Sequence, residues 1–144
     1  MKRIYQAESD DCMSCCIASI LDIPLCLVPN FSKEKNAEQQ LKAAQKWLSK
    51  LGWTMVGIQV KHRARFFPWA RMEIATPAIL CVKVKGKNFH HAVVGTIDSS
   101  GTHVLHDPYP NADPNFKYVV ARAYVLAPAV DGRSVMENLR LGQV

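Results

Sequence analysis

The chain has 144 residues, 49% of them hydrophobic and 21% charged, with 18 Lys and Arg against 12 Asp and Glu for a net charge of +6. A chain of this length forms one domain that buries roughly 70% of its unfolded surface, so its core requires neither metal nor disulfides. Five cysteines, with Cys12, Cys15, Cys16 and Cys26 crowded near the N-terminus, make a poor disulfide framework and point to a reducing, cytoplasmic setting.

The first residues run from Lys2 and Arg3 into acids without the apolar stretch of a secretory signal, and no apolar run approaches bilayer-spanning length. No membrane association is expected. Residues 61–87 hold seven basic residues (Lys61, Arg63, Arg65, Arg71, Lys83, Lys85 and Lys87) and one acid, Glu73, and so carry the whole net charge. Within this stretch KHRARFFPWAR mixes cations with Phe66, Phe67 and Trp69. The plain expectation is a loop whose aromatics enter the core while its charges stay solvated. Docking of an acidic substrate or partner comes next, and nucleic acid, held by stacking and phosphate neutralisation, comes last.

A first helix is expected over residues 12–22, with Asp10 or Asp11 as its cap and Pro24 just beyond its end. Its sequence, CMSCCIASILD, is small or apolar almost all round, as in a helix buried on most sides. Leu41, Ala44, Leu48 and Leu51 mark a second helix, widened by Trp47 and closed by Gly52. Extended segments rich in β-formers follow at 53–60, 77–84, 91–97, 102–106 and 118–126. Lys85-Gly86-Lys87-Asn88 and Ser99-Ser100-Gly101 supply turns between neighbours, implying antiparallel hairpins. Helices first and a sheet afterwards favour an α+β class, with a single domain over 1–144. The end of the chain, 129–144, is a loose tail or carries a short helix at 134–141.

Three polar features stand out: Gln6 with Cys12 at the mouth of the first helix, His90-His91 at the start of a strand, and Asp107 in HDPYP at the end of the next. A cysteine in the first turn of a helix feels the positive end of the backbone dipole, which favours the nucleophilic thiolate. The start of one strand and the end of its antiparallel partner share a sheet edge, which sets His91 beside Asp107. The carboxylate then fixes the tautomer of the imidazole that serves Cys12, and an amide donor from Gln6 joins the Cys12 N–H in stabilising an oxyanion. Alternation puts His90 and His91 on opposite faces, so only one can reach the sulfur.

The segment QAESDDCMSCCIASIL resembles the opening of papain-like cysteine peptidases, most closely the leader-processing peptidase domain of bacteriocin-exporting ABC transporters. Gln6 and Cys12 keep that group's six-residue spacing, His91-Ala92-Val93-Val94 matches its histidine strand, and Asp107-Pro108 matches its aspartate turn. The resemblance implies a papain-like fold with an N-terminal catalytic helix on an antiparallel sheet. It also implies a Cys12–His91–Asp107 triad with Gln6 at the oxyanion hole, acting on a peptide, amide or isopeptide bond of a peptide or protein substrate without a cofactor. Met13 stands where the family has Gly and is expected to place a side chain near the nucleophile and reshape the groove. With no transporter segment or ATPase domain read in the sequence, the resemblance leads to the expectation of a stand-alone bacterial or phage protein.

Two other classes compete. One is a non-catalytic binding protein of the same fold that captures an anionic ligand or host protein through its cleft and residues 61–87, a possibility that Met13 keeps open. The other is a zinc module built from Cys12 and Cys15 or Cys16 with two of His90, His91, His103 and His106, which lacks a second tight ligand pair. For Cys15, Cys16, Cys26 and Cys81 the expected role is packing. His103 and His106 are expected as strand residues, with His106 placed to shape the site beside Asp107.

Overall fold

The computed structural model describes residues 1–7, 11–60, 75–84, 90–113, 115 and 117–129. Helix α1 (Cys12–Leu21) is buried continuously from Met13 to Ser19, because small and apolar side chains on every face let the sheet and the following loop close around it. Its one polar residue in mid-course that meets the loop, Ser14, donates from Oγ to the Pro29 carbonyl at 2.7 Å and accepts from the Phe31 N–H at 3.4 Å. Two short 3₁₀ turns (Leu25–Leu27 and Phe31–Lys33) lead into α2 (Ala37–Lys50), which Asn36 caps by accepting the Gln39 N–H at 3.0 Å. Gly52 ends the helix in the left-handed region at φ 77°, as its position after the last turn predicts.

Five strands follow: β1 (Trp53–Gln59), β2 (Thr76–Val84), β3 (His90–Asp98), β4 (Gly101–His106) and β5 (Tyr118–Pro128). They form one antiparallel sheet in the order β1-β5-β2-β3-β4. The α+β class and the β2-β3-β4 meander match the sequence expectation. Placement of β5 between β1 and β2 does not follow from neighbouring turns. That insertion makes β2 and β5 central, and TPAILCVKV in β2 is apolar on both faces as an interior strand must be.

The core has two parts. Ile79, Ala92, Val94, Tyr124 and Leu126 meet Cys16, Ile17, Trp47 and Leu48 from the helices. Leu80, Val82, Val93, Ile97 and Ala123 form a second cluster without helical members. α1 lies on β3 and β2, and α2 on β1.

Met13 is 7% exposed and belongs to the helix-side core, so it does not project into a groove beside Cys12. Its burial speaks against the expectation that it projects into a substrate groove, although Cys12 packs against the same cluster. The residue after the helix start turns inward, and a larger apolar side chain there fills core volume.

Asp107 directly follows β4, and the pairing of Val94 with His106 brings that end of β4 beside the start of β3. Next to it Gly95 opposes Val104, which leaves Leu105 as an extra, bulged residue just before the site. Gly95 is required there: a Cβ would overlap the Leu80 side chain and the His103 carbonyl. The basic segment 61–74, the turn 85–88 and the C-terminal segment 134–141 lie outside the described residues.

Candidate active site

Cys12 is the first residue of α1 and is partly exposed. The helix N-cap is Asp11, as expected from the sequence, but its side chain makes no capping bond. Gln6 supplies the cap from outside the helix. Its carboxamide lies 3.0 Å from the backbone nitrogens of Asp11 and Cys12; both are donors, so the atom facing them is assigned as the oxygen, which accepts both bonds.

Residues 1–7 form a strap without regular secondary structure, fixed on either side of Asp107. The Ile4 carbonyl accepts from His106 Nε2 at 2.8 Å, and the Gln6 N–H donates to the Pro108 carbonyl at 2.9 Å. Tyr5 stacks edge-on against the His106 ring at 4.8 Å. His106 therefore shapes the site through the strap that carries Gln6.

His91 Nε2 and Asp107 Oδ1 are 2.7 Å apart, with side chains only 11% and 10% exposed. Since Nε2 is held by the carboxylate, the Nδ1 side of the ring is the one left to serve Cys12, which is among the groups that raise the His91 pKa. His90 is exposed and takes no part. Burial alone would lower the His91 pKa, but its hydrogen bonds to Asp107 and Cys12 and their charges outweigh burial and raise it from 6.5 to about 9.

Asp107 is held by more than the histidine. Tyr118, at the start of β5, donates its hydroxyl to Oδ2 at 2.5 Å, and the Tyr109 N–H donates to Oδ1 at 2.8 Å. Burial pushes the carboxyl up, yet the bonds from His91, Tyr118 and Tyr109 bring it below its ordinary value. The Tyr118 phenol is correspondingly raised, by burial first and then by the carboxylate it faces. Tyr118 was not expected from the sequence, since nothing local links it to a carboxylate eleven residues earlier. The Tyr109 contact, likewise not expected from the sequence, does have a local signal there, because an Asp commonly accepts from the N–H two residues on.

The other thiols occupy different surroundings. Burial, followed by the charges of Asp11 and Cys12, pushes Cys15 up to about 12. Burial raises Cys81 to about 11 and drives Cys16 well above its ordinary range, with the Cys12 charge adding to both. Cys26 is exposed on the first 3₁₀ turn. Among the described residues no group of three or more His, Cys, Asp and Glu side chains is arranged to hold a metal ion. No helix among them is long and apolar enough to cross a membrane.

The raised His91 pKa has a definite pH signature. A histidine whose folded pKa exceeds its unfolded value contributes its full stability below 6.5 and loses it as pH rises through about 9. The buried thiols act later, because their unfolded value is 9.0 and their loss extends toward 11 and 12. Urea unfolding is therefore expected to show declining stability between pH 6.5 and 9, and His91→Gln is expected to flatten that window while leaving the decline above it. Tyr118→Phe removes a hydrogen bond to a buried carboxylate and is expected to cost about 2 kcal/mol. It should also move the acid-side loss of stability to higher pH, because the Tyr118 bond is one of those that lower Asp107. A scan against protein-family models and a search of curated proteins return no match to this chain.

Proposed function

We propose that the protein is a cysteine-dependent hydrolase or acyl transferase with a papain-like arrangement, acting on a peptide, amide or isopeptide bond. The observation that carries this proposal is His91, whose Nε2 is held at 2.7 Å by a largely buried carboxylate and whose pKa is raised both by that carboxylate and by Cys12 at the helix N-terminus. Structural histidines rarely need both partners. A histidine that must collect a thiol proton and hold it does.

In the proposed reaction the Cys12 thiolate attacks the carbonyl carbon, forming a C–S bond and an oxyanion. His91, protonated at Nδ1, gives that proton to the leaving amine as the C–N bond breaks, and a thioester remains on Cys12. Water or a second amine then attacks the thioester with His91 as base, releasing a carboxylate or a new amide. Asp107 holds the imidazolium through Nε2 at both stages, and Tyr118 holds Asp107 as a positioning residue.

Gln6 has two parts to play. At rest its oxygen covers the Cys12 N–H, a donor that an oxyanion would also use. Rotation of the carboxamide replaces oxygen by NH₂, so Gln6 becomes a donor and the Cys12 N–H is released to the substrate. The α1 dipole adds its positive end to the same point.

Met13, the feature that keeps the binding-protein alternative open, is buried in the helix-side core, which favours the catalytic reading. A docking role for residues 61–87 rests on their charge, and an acidic substrate is the partner that charge suits.

The test uses an internal comparison between two thiols. Cys26 is exposed and Cys12 only partly so, hence accessibility alone predicts that iodoacetamide labels Cys26 first. The proposed pairing with His91 predicts the reverse at pH 7: Cys12 labelled faster than Cys26 by roughly 10-fold or more, with the advantage lost in His91→Ala. Mass-spectrometric mapping of the alkylated residues decides it. Preferential labelling of Cys26, or labelling of Cys12 that is indifferent to His91→Ala, would refute the proposal.

A further inference from the structure

Toward the C-terminal end of α1 a cavity of about 220 Å³ lies between the strap and the sheet, lined by Lys2, Arg3, Ser19, Val94, Leu105 and His106 among others. Ser19 is seven residues along α1 from Cys12, about 10 Å of helical rise, so the cavity is separate from the sulfur and its partners.

Ser19 is fully buried, and its Oγ has no hydrogen-bond partner among the described residues. Serine within a helix ordinarily turns its hydroxyl to the carbonyl four residues back or outward to water. This one has no acceptor among the described residues, and Ser19 is among the residues that line the cavity. A buried donor without an acceptor is unfavourable and is seldom retained unless something outside the chain completes it.

The rest of the lining indicates what that something is. Lys2 and Arg3 contribute two cations, and no carboxylate is among the lining residues. Val94 and Leu105 supply an apolar wall. The His106 side of the cavity is fixed by the bond from Nε2 to the Ile4 carbonyl, which also holds the strap over it. The volume corresponds to about seven waters at ~30 Å³ each, enough for a small organic anion and too little for a folded peptide segment.

We propose that this cavity binds a small oxyanion, a carboxylate or a phosphate, whose charge meets Lys2 and Arg3 and one of whose oxygens accepts the hydrogen bond of the Ser19 hydroxyl once that buried side chain rotates toward the cavity. The carbon part of the ligand rests on Val94 and Leu105. Guanidinium and ammonium groups recognise both oxyanion types, so succinate and inorganic phosphate serve as separate probes.

The test is thermal unfolding of the full chain with increasing succinate or phosphate, each matched against sodium chloride of equal ionic strength. A saturable rise in melting temperature with at least one probe, absent with chloride, is expected, and the probe that gives it identifies the ligand class. Ser19→Ala conserves volume and removes the idle hydroxyl. It is expected to keep or raise the melting temperature of the unliganded protein while abolishing the rise with ligand. Lys2→Gln, at an exposed position, is expected to weaken apparent affinity by about 10-fold without changing the unliganded melting temperature. No saturable rise with either probe, an equal rise with chloride, or a rise that survives Ser19→Ala would each overturn the proposal. None of these readouts depends on the chemistry of Cys12.

Discussion

The carboxylate of Asp107 is the point at which the parts of this protein meet. A largely buried carboxylate is tolerated only if its lone pairs are used, and here His91 from β3, the Tyr118 hydroxyl from β5 and the Tyr109 N–H of its own turn use them. Those bonds more than offset burial, so the group stays ionised and can hold an imidazolium. The residues on either side of it, His106 and Pro108, fix the strap that brings Gln6 to the start of α1. Residues 6, 12, 91, 107 and 118, scattered along the chain, are thereby gathered around one anion.

Position on α1 separates one thiol from its neighbours. Cys15 and Cys16 lie within the first two turns of the same helix as Cys12, yet burial pushes both up, and Cys81 on the adjoining strand is raised as well. Cys12 is the one among them that acts on His91, raising its pKa together with Asp107. The helix end also explains why Gln6 is where it is. The first N–H groups of any helix lack intrahelical partners, Asp11 does not satisfy them with its side chain, and the Gln6 oxygen does. A group able to present either oxygen or NH₂ at that point can stabilise the resting helix and, once turned, a developing negative charge.

Much of this was legible in the sequence because it is local. The all-round apolar pattern of CMSCCIASIL, the Leu41 to Leu51 stripe closed by Gly52, and the β-rich segments all form the elements their periodicities indicate. The pairing of His91 with Asp107 follows from antiparallel neighbours sharing an edge. The insertion of β5 between β1 and β2 was not legible, because no turn signal links β5 to either neighbour. Tyr118 depends on that insertion and was missed with it. Met13 was misjudged for a different reason: its position beside Cys12 in sequence says nothing of which way a helical side chain points, and it points into the core.

The central claim is that His91 is held charged between Cys12 and Asp107. Its most direct test is the pH titration of the His91 ring by NMR, in the wild-type chain and in Cys12→Ala. The account predicts a titration near 9 in the wild type and a clearly lower value in Cys12→Ala, since the hydrogen bond and charge of Cys12 are among the influences that raise it. A wild-type value near the ordinary 6.5, unchanged when Cys12 is removed, would contradict it.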